Sequence, residues 1–138
     1  MRKVSSISEA VERTATLLCI NDNESELEQQ TLLLEAAGYR VLGALDGEAA
    51  VKHFVAEEID LILSGLLFPG VSGAELSMFM RQVRPEVSVV LLSRTKQLSA
   101  TLLKQVDGHV DKDAADEDLL SCVEQVLARK TADPRRRA

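Results

Sequence analysis

Apolar and polar positions follow two different periods along the chain, and they alternate from segment to segment. Thr16-Leu17-Leu18-Cys19-Ile20 is a nearly unbroken apolar run, as expected of a strand covered on both faces. From Asn23 to Ala37 the period becomes helical, with Leu27, Thr31 and Leu34 on one face and Gly38 as the stop. Asn23 and Glu26 stand three apart, as in a capping box. Tyr39 to Ala44 predicts a second strand, Gly47 to Glu57 a second helix with Ala50, Val51 and Phe54 inward, and Ile59 to Ser64 a third strand. Phe68-Pro69-Gly70 signals a turn. Ser72 and Glu75 then cap a third helix, with Leu76, Phe79, Met80 and Val83 as its inner face and Pro85 beyond its end. Val87 to Leu92 is the most apolar strand. Leu98 to Gln105 predicts a short helix, Gly108 to Asp111 a short fifth strand, and Asp116 to Lys130 a last helix with Leu119, Leu120, Val123, Val126 and Leu127 inward.

Five such alternations predict an α/β domain with a parallel sheet and helices on both faces, because each strand–helix–strand crossover is right-handed. A polar extension over 1–15, one domain over 16–130 and a basic tail over 131–138 account for the 138 residues. With 3% aromatic residues and no Trp, the core has to be aliphatic. No apolar run approaches the ~20 residues that span a bilayer, and Met1 to Thr16 lacks the apolar stretch of a secretion signal. Cys19 and Cys122 lie far apart with no Cys/His cluster beside them. They read as reduced thiols of a cytoplasmic protein. Residues 129–137 hold five basic side chains against Asp133, a net +4, which leaves −10 on the rest of a chain whose total is −6. Such an acidic body argues against a broad nucleic-acid footprint, which needs a basic face. Arg135-Arg136-Arg137 reads as a solvated tail, with contact to nucleic acid or anionic lipid as the other reading.

In an open parallel sheet, ligands sit beyond the carboxyl ends of the strands. The residues there are Asn21 and Asp22 after the first strand, Gly65 after the third, Ser93 after the fourth and Lys112 after the fifth. A carboxylate, a hydroxyl and an ammonium converging on one point suit an oxyanion together with a hard cation. The spacing equally allows Asp22 to cap the first helix region, with Ser93 and Lys112 as ordinary loop residues.

At these positions the chain resembles the receiver domain of bacterial response regulators, the phosphoaccepting half of two-component signalling. The likeness runs over residues 16–129. It is carried by Leu17-Leu18-Cys19-Ile20-Asn21-Asp22-Asn23, Glu35-Ala36-Ala37-Gly38-Tyr39, Asp46-Gly47-Glu48-Ala49-Ala50, Pro69-Gly70-Val71-Ser72-Gly73 and Asp107-Gly108-His109-Val110-Asp111-Lys112, in that order and spacing. The resemblance implies a flavodoxin-like, doubly wound, five-stranded parallel sheet in the order 2-1-3-4-5. It also implies a site in which this chain departs from the family's pattern. The acidic pair maps onto Asn21 and Asp22, so one carboxylate has become an amide. The phosphoacceptor aspartate, four residues before the Pro of the Pro-Gly turn, maps onto Gly65. The switch hydroxyl maps onto Ser93, followed by Arg94 where a small residue is usual. The phosphate-binding lysine maps onto Lys112, followed by Asp113 in place of Pro. The aromatic switch position maps onto His109.

An acyl phosphate needs a carboxylate nucleophile, and glycine has no side chain. Ser64 is the nearest substitute, but it points to the opposite face of the sheet and no base is evident to activate it. Mg²⁺ usually takes one or two carboxylates plus phosphate oxygens. With Asp22 the one remaining acid of three, its binding is expected to be weak or absent, and no other cofactor is implied. Removing the other acids relieves carboxylate repulsion, so Asp22 is expected to pair with Lys112. Arg94 either reaches into the space at Gly65 or points to solvent. About three residues fewer than is usual in the family separate Ser93 from Gly108, close to one helical turn, so the fourth helix is expected to be short.

The function expected is that of a receiver-like, non-enzymatic module of phosphorelay signalling, a pseudo-receiver that cannot be phosphorylated. It would act through protein–protein binding, with a histidine kinase or another regulator as partner. A homodimer through the fourth helix, fifth strand and fifth helix is a further expectation. The competing reading is a small-molecule or nucleotide sensor using the vacated space near Gly65. Against it, the chain has no Gly-x-Gly-x-x-Gly after the first strand and no P-loop. An enzyme such as a phosphatase-like hydrolase would need a nucleophile and a base, and neither is in place.

Overall fold

The computed structural model describes residues 14–65, 73–93 and 100–132. Strands β1 (Thr16–Ile20), β2 (Arg40–Ala44), β3 (Leu61–Gly65), β4 (Ser88–Leu92) and β5 (Gly108–Val110) alternate with helices α1 (Glu24–Ala36), α2 (Gly47–Ala56), α3 (Gly73–Val83), α4 (Ala100–Gln105) and α5 (Asp116–Ala132). All strand pairs are parallel, in the order β2-β1-β3-β4-β5. This is the predicted sheet.

The three central strands are mostly apolar and buried, with Thr16, Ser64 and Ser88 the polar exceptions, because both of their faces are covered. Their side chains alternate between two cores, as the pleat requires. Leu18, Ile20, Ile62, Val89 and Leu91 pack with Ala50 and Phe54 of α2 and Leu76 and Met80 of α3. Leu17, Cys19, Leu61, Leu63 and Val90 pack with Leu27 and Leu34 of α1 and Leu119, Val123 and Val126 of α5. The sheet therefore lies between α1 and α5 on one side and α2 and α3 on the other.

Two expectations need correction. The third strand starts at Leu61 rather than Ile59 and runs one residue beyond Ser64, so Gly65 is the last strand residue and pairs with Leu92. Val51, Phe79 and Val83, expected inward, are exposed. Each of these helices rests on the sheet through a narrow arc, Ala50 with Phe54 on α2 and Leu76, Ser77 and Met80 on α3. The neighbouring apolar residues project from the helix flanks instead. The expected turn at Phe68 to Gly70, the cap at Ser72 and the Arg94 side chain lie outside the described residues. Within them α4 covers Ala100–Gln105, and the start expected at Leu98 lies outside them.

Candidate functional site

The carboxyl ends of β1, β3, β4 and β5 bring the predicted residues to one edge of the sheet. Ser64 pairs with Ile20, which places Gly65 beside Asn21, and Gly65 pairs with Leu92, which places it beside Ser93. Ser93 in turn donates its backbone N–H to the Val110 carbonyl at 3.1 Å, two residues before Lys112.

Asn21 is 8% exposed, and both ends of its amide are engaged. Its Oδ1 accepts the Asn23 N–H at 2.9 Å, and its Nδ2 donates to Glu26 Oε1 at 3.3 Å. Asn23 caps α1 by accepting the Glu26 N–H at 2.9 Å, so the capping residue is the one the sequence indicates. The Glu26 side chain does not turn back to the cap, because the Asn23 N–H is already taken. It reaches instead across the end of the sheet to Lys112, whose Nζ lies 3.6 Å from Oε1.

The ammonium expected on Asp22 is therefore held by Glu26, and Asp22 is exposed. The sequence reading missed Glu26 as a site residue, since it assigned that residue to the helix cap alone. The available signal was position: the first turn of α1 directly follows β1 and overhangs the ends of the central strands.

At Gly65 a side chain would meet little. The nearest atom to an added Cβ is the Ile20 carbonyl oxygen at 3.8 Å. Ser64 is fully buried, and its hydroxyl donates to the Gly65 carbonyl at 2.9 Å. Ser93 is 3% exposed, and its hydroxyl has no hydrogen-bond partner among the described residues. Its carbonyl lies 2.9 Å from His109 Nε2, which ties that ring to the strand end that carries the hydroxyl. Among the described residues no three His, Cys, Asp or Glu side chains gather as a metal cluster.

A cleft of about 590 Å³ opens beside this edge, between α1 and the β5–α5 connection. Glu26, Gln30, Leu92, Lys112, Asp113 and Leu119 are among its walls, and neither Gly65 nor Ser93 is. The cleft thus does not lie over the glycine, where the small-molecule reading needed it. Among the described residues no helix is long and apolar enough to cross a membrane.

Comparison with known proteins agrees with this geometry. The family model described as the response regulator receiver domain matches residues 17–124. The transcriptional regulatory protein YrkP of Bacillus subtilis is 31% identical over 117 residues, covering 83% of this chain and 50% of that protein. The autoinducer sensor kinase/phosphatase CqsS of Vibrio cholerae is 36% identical over 70 residues, 51% of this chain and 10% of that protein. The chain thus spans half or less of the length of these two relatives. Among solved structures, the N-terminal domain of a response regulator/sensory box/GGDEF protein from Carboxydothermus hydrogenoformans superposes with a TM-score of 0.76 at 30% identity, covering 85% of this chain and 97% of that one. A CheY-like receiver domain protein from Methanospirillum hungatei gives 0.80 at 20% identity, with 87% and 98% covered, a likeness of fold.

Proposed function

The chain belongs to the response regulator receiver domain family, and from that premise we propose that it is a receiver that accepts no phosphoryl group and signals by binding a partner protein. The observation that carries this reading is Gly65. It closes β3 at the place where the family presents its acceptor aspartate, and it offers no nucleophile. The Ser64 hydroxyl beside it is buried and already donates to a backbone carbonyl.

The donors at this edge do not fit Mg²⁺. A hard cation of that size wants carboxylate oxygens in octahedral array. Here the Asn21 oxygen is committed to the Asn23 N–H, Gly65 has no side chain, the Glu26 carboxylate already accepts from Asn21 and pairs with Lys112, and Asp22 is exposed. Lys112, which the family uses for the phosphoryl group, rests on the carboxylate of Glu26. That pair is half-exposed and contributes only about 0.2–1 kcal/mol, so it biases the lysine rather than locking it. The Lys112 ammonium is thereby partnered by a carboxylate of this chain without phosphoryl group or metal. Its partner is a kinase or regulator of the same signalling class, which recognises the domain surface.

Incubation with acetyl phosphate and Mg²⁺, followed by intact-mass measurement, tests this directly. The mass is expected to stay unchanged, and neither Mg²⁺ nor beryllofluoride at millimolar concentration is expected to move the melting temperature. A phosphoryl adduct released by hydroxylamine would overturn the reading and identify a carboxylate acceptor elsewhere.

A further inference from the structure

Four of the seven large apolar side chains exposed among the described residues belong to α2 and α3, and the flank contacts below turn them toward the furrow between these two helices. Val55 is 70% exposed, Phe79 58% and Val83 57%, with Val51 at the upper end. Contacts on the outer flanks fix how the two helices are turned. On α2, His53 Nε2 lies 3.1 Å from the Gly43 carbonyl on edge strand β2. The opposite flank, with Val51 and Val55, therefore faces α3. On α3, Arg81 reaches Gln105 and Asp107 at the junction of α4 and β5, so the flank with Phe79 and Val83 faces α2. Arg84 closes the floor at the lower end. Its guanidinium stacks 4.3 Å from the centre of the Phe54 ring and donates to the Glu57 carbonyl at 2.9 Å.

We propose that this furrow is a docking surface for an amphipathic helix of a partner protein, carrying a Leu/Ile/Val stripe with Lys and Arg along its flanks. The inference rests on the protein-binding reading above and assigns that binding a place. Apolar side chains scattered singly over a surface need no explanation, but a contiguous strip with an aromatic residue at its centre has the composition of an interface core. Parallel helices with a shallow furrow between them accept a third helix through residues at i, i+3 or i+4, and i+7.

Charge selects among occupants. Glu48 and Glu58 from the α2 side, Glu75 on α3 and Glu86 beyond it are exposed, four acids against the one exposed cation of these helices, Lys52, while Arg84 is engaged with Glu57. A second copy of this chain would bring the same acids against them. An anionic membrane would be repelled in the same way. A helix with basic flanks meets a net acidic surround.

The probe is a fluorescein-labelled synthetic helix of about 18 residues, five turns, with leucines at 3–4 spacing and lysines elsewhere. It is compared with a peptide of the same composition whose leucines are scattered, and with one carrying Glu for Lys. Binding is followed by anisotropy to the full chain. The patterned basic peptide is expected to bind, more weakly as salt is raised, and the acidic peptide is not. Val55→Ser and Phe79→Ser, both at exposed positions, are expected to weaken binding roughly tenfold each. Leu32→Ser, on the far side of the sheet, is expected to leave binding unchanged. Equal binding of the scattered peptide, or no effect of the furrow substitutions in variants that melt like the parent, overturns the proposal. So does a dimer in sedimentation equilibrium that Phe79→Ser dissociates, which would make a second copy the occupant. The peptide experiments on the parent chain need no variant to fold. None of these outcomes bears on the acetyl phosphate test, which reads Gly65.

Discussion

Gly65 and Gly108 stand at opposite ends of strands, and their surroundings give them opposite roles. An added Cβ at Gly65 meets nothing closer than 3.8 Å, and its backbone is not in the left-handed region. Gly65→Ala is therefore expected to stabilise the fold by about 0.4–1 kcal/mol, by narrowing the unfolded ensemble. At Gly108 the same atom would stand 2.9 Å from Cys122 Sγ and 3.1 Å from Val126 Cγ2. Gly108→Ala is expected to cost about 1–3 kcal/mol through overpacking against α5. Urea titration of the two variants checks both signs, and a destabilised Gly65→Ala would mean that the space at the candidate site is not open. A second residue-scale effect concerns pH. Burial pushes the Cys19 thiol up to about 12 from an ordinary 9.0. The folded state keeps its proton where the unfolded chain has lost it. Stability from this group is therefore whole below pH 9.0 and declines as pH rises toward about 12, by up to about 1.4 kcal/mol per pH unit. Cys19→Ala is expected to flatten that alkaline decline. Parallel slopes for the two proteins between about pH 8 and about pH 10.5 would show that other groups govern it.

At the scale of elements, the helices begin where the sequence marks them, because capping is a local matter. Asn23 and Asp46 each accept an N–H three residues on, from Glu26 at 2.9 Å and from Ala49 at 2.8 Å. Asp46→Ala is expected to lower stability by about 1 kcal/mol, with Asp46→Asn losing much less, as thermal melts of the two would show. The end of α1 is local too: Gly38 adopts a φ of 103°, which no other described residue shares. Which side of a helix is buried was less legible. Val51 and Phe79 each neighbour a buried position one residue away, Ala50 and Met80, so apolar spacing alone cannot separate the arc that rests on a sheet from the flank beside it.

Across the whole molecule, Asp107 joins four elements. Its carboxylate accepts the Val89 N–H of β4 at 2.8 Å and pairs with Arg81 of α3. Its carbonyl accepts from Arg129 of α5 at 2.8 Å, and its N–H donates to the Val89 carbonyl at 2.8 Å as the chain enters β5. Asp107→Ala would leave a strand N–H and a largely buried guanidinium without their carboxylate. The expected cost is about 2–4 kcal/mol in urea denaturation, with Asp107→Asn recovering part of it. An unchanged midpoint for the alanine variant would show that this junction carries no tension between sheet and helices.

The parallel sheet with helices on both faces followed from the alternation of buried strands and capped helices, while its order, 2-1-3-4-5, came from the resemblance to receiver domains. Strand burial and helix capping are written in neighbouring residues, and crossover handedness leaves few ways to assemble them. That Gly65 stands at the end of the third strand's segment with no side chain was equally legible, since a missing side chain needs no coordinates to be recognised. The partner of Lys112 was not. Asp22 and Glu26 are both acids close behind β1, and only the tertiary placement of α1 relative to the residues after β5 decides that Glu26 reaches the ammonium while Asp22 is exposed. The furrow of Val51, Val55, Phe79 and Val83 likewise depends on how two helices separated in the chain are turned about their axes. Local patterns set each element's type, but the side chains that meet across elements depend on rotations that tertiary contacts alone determine.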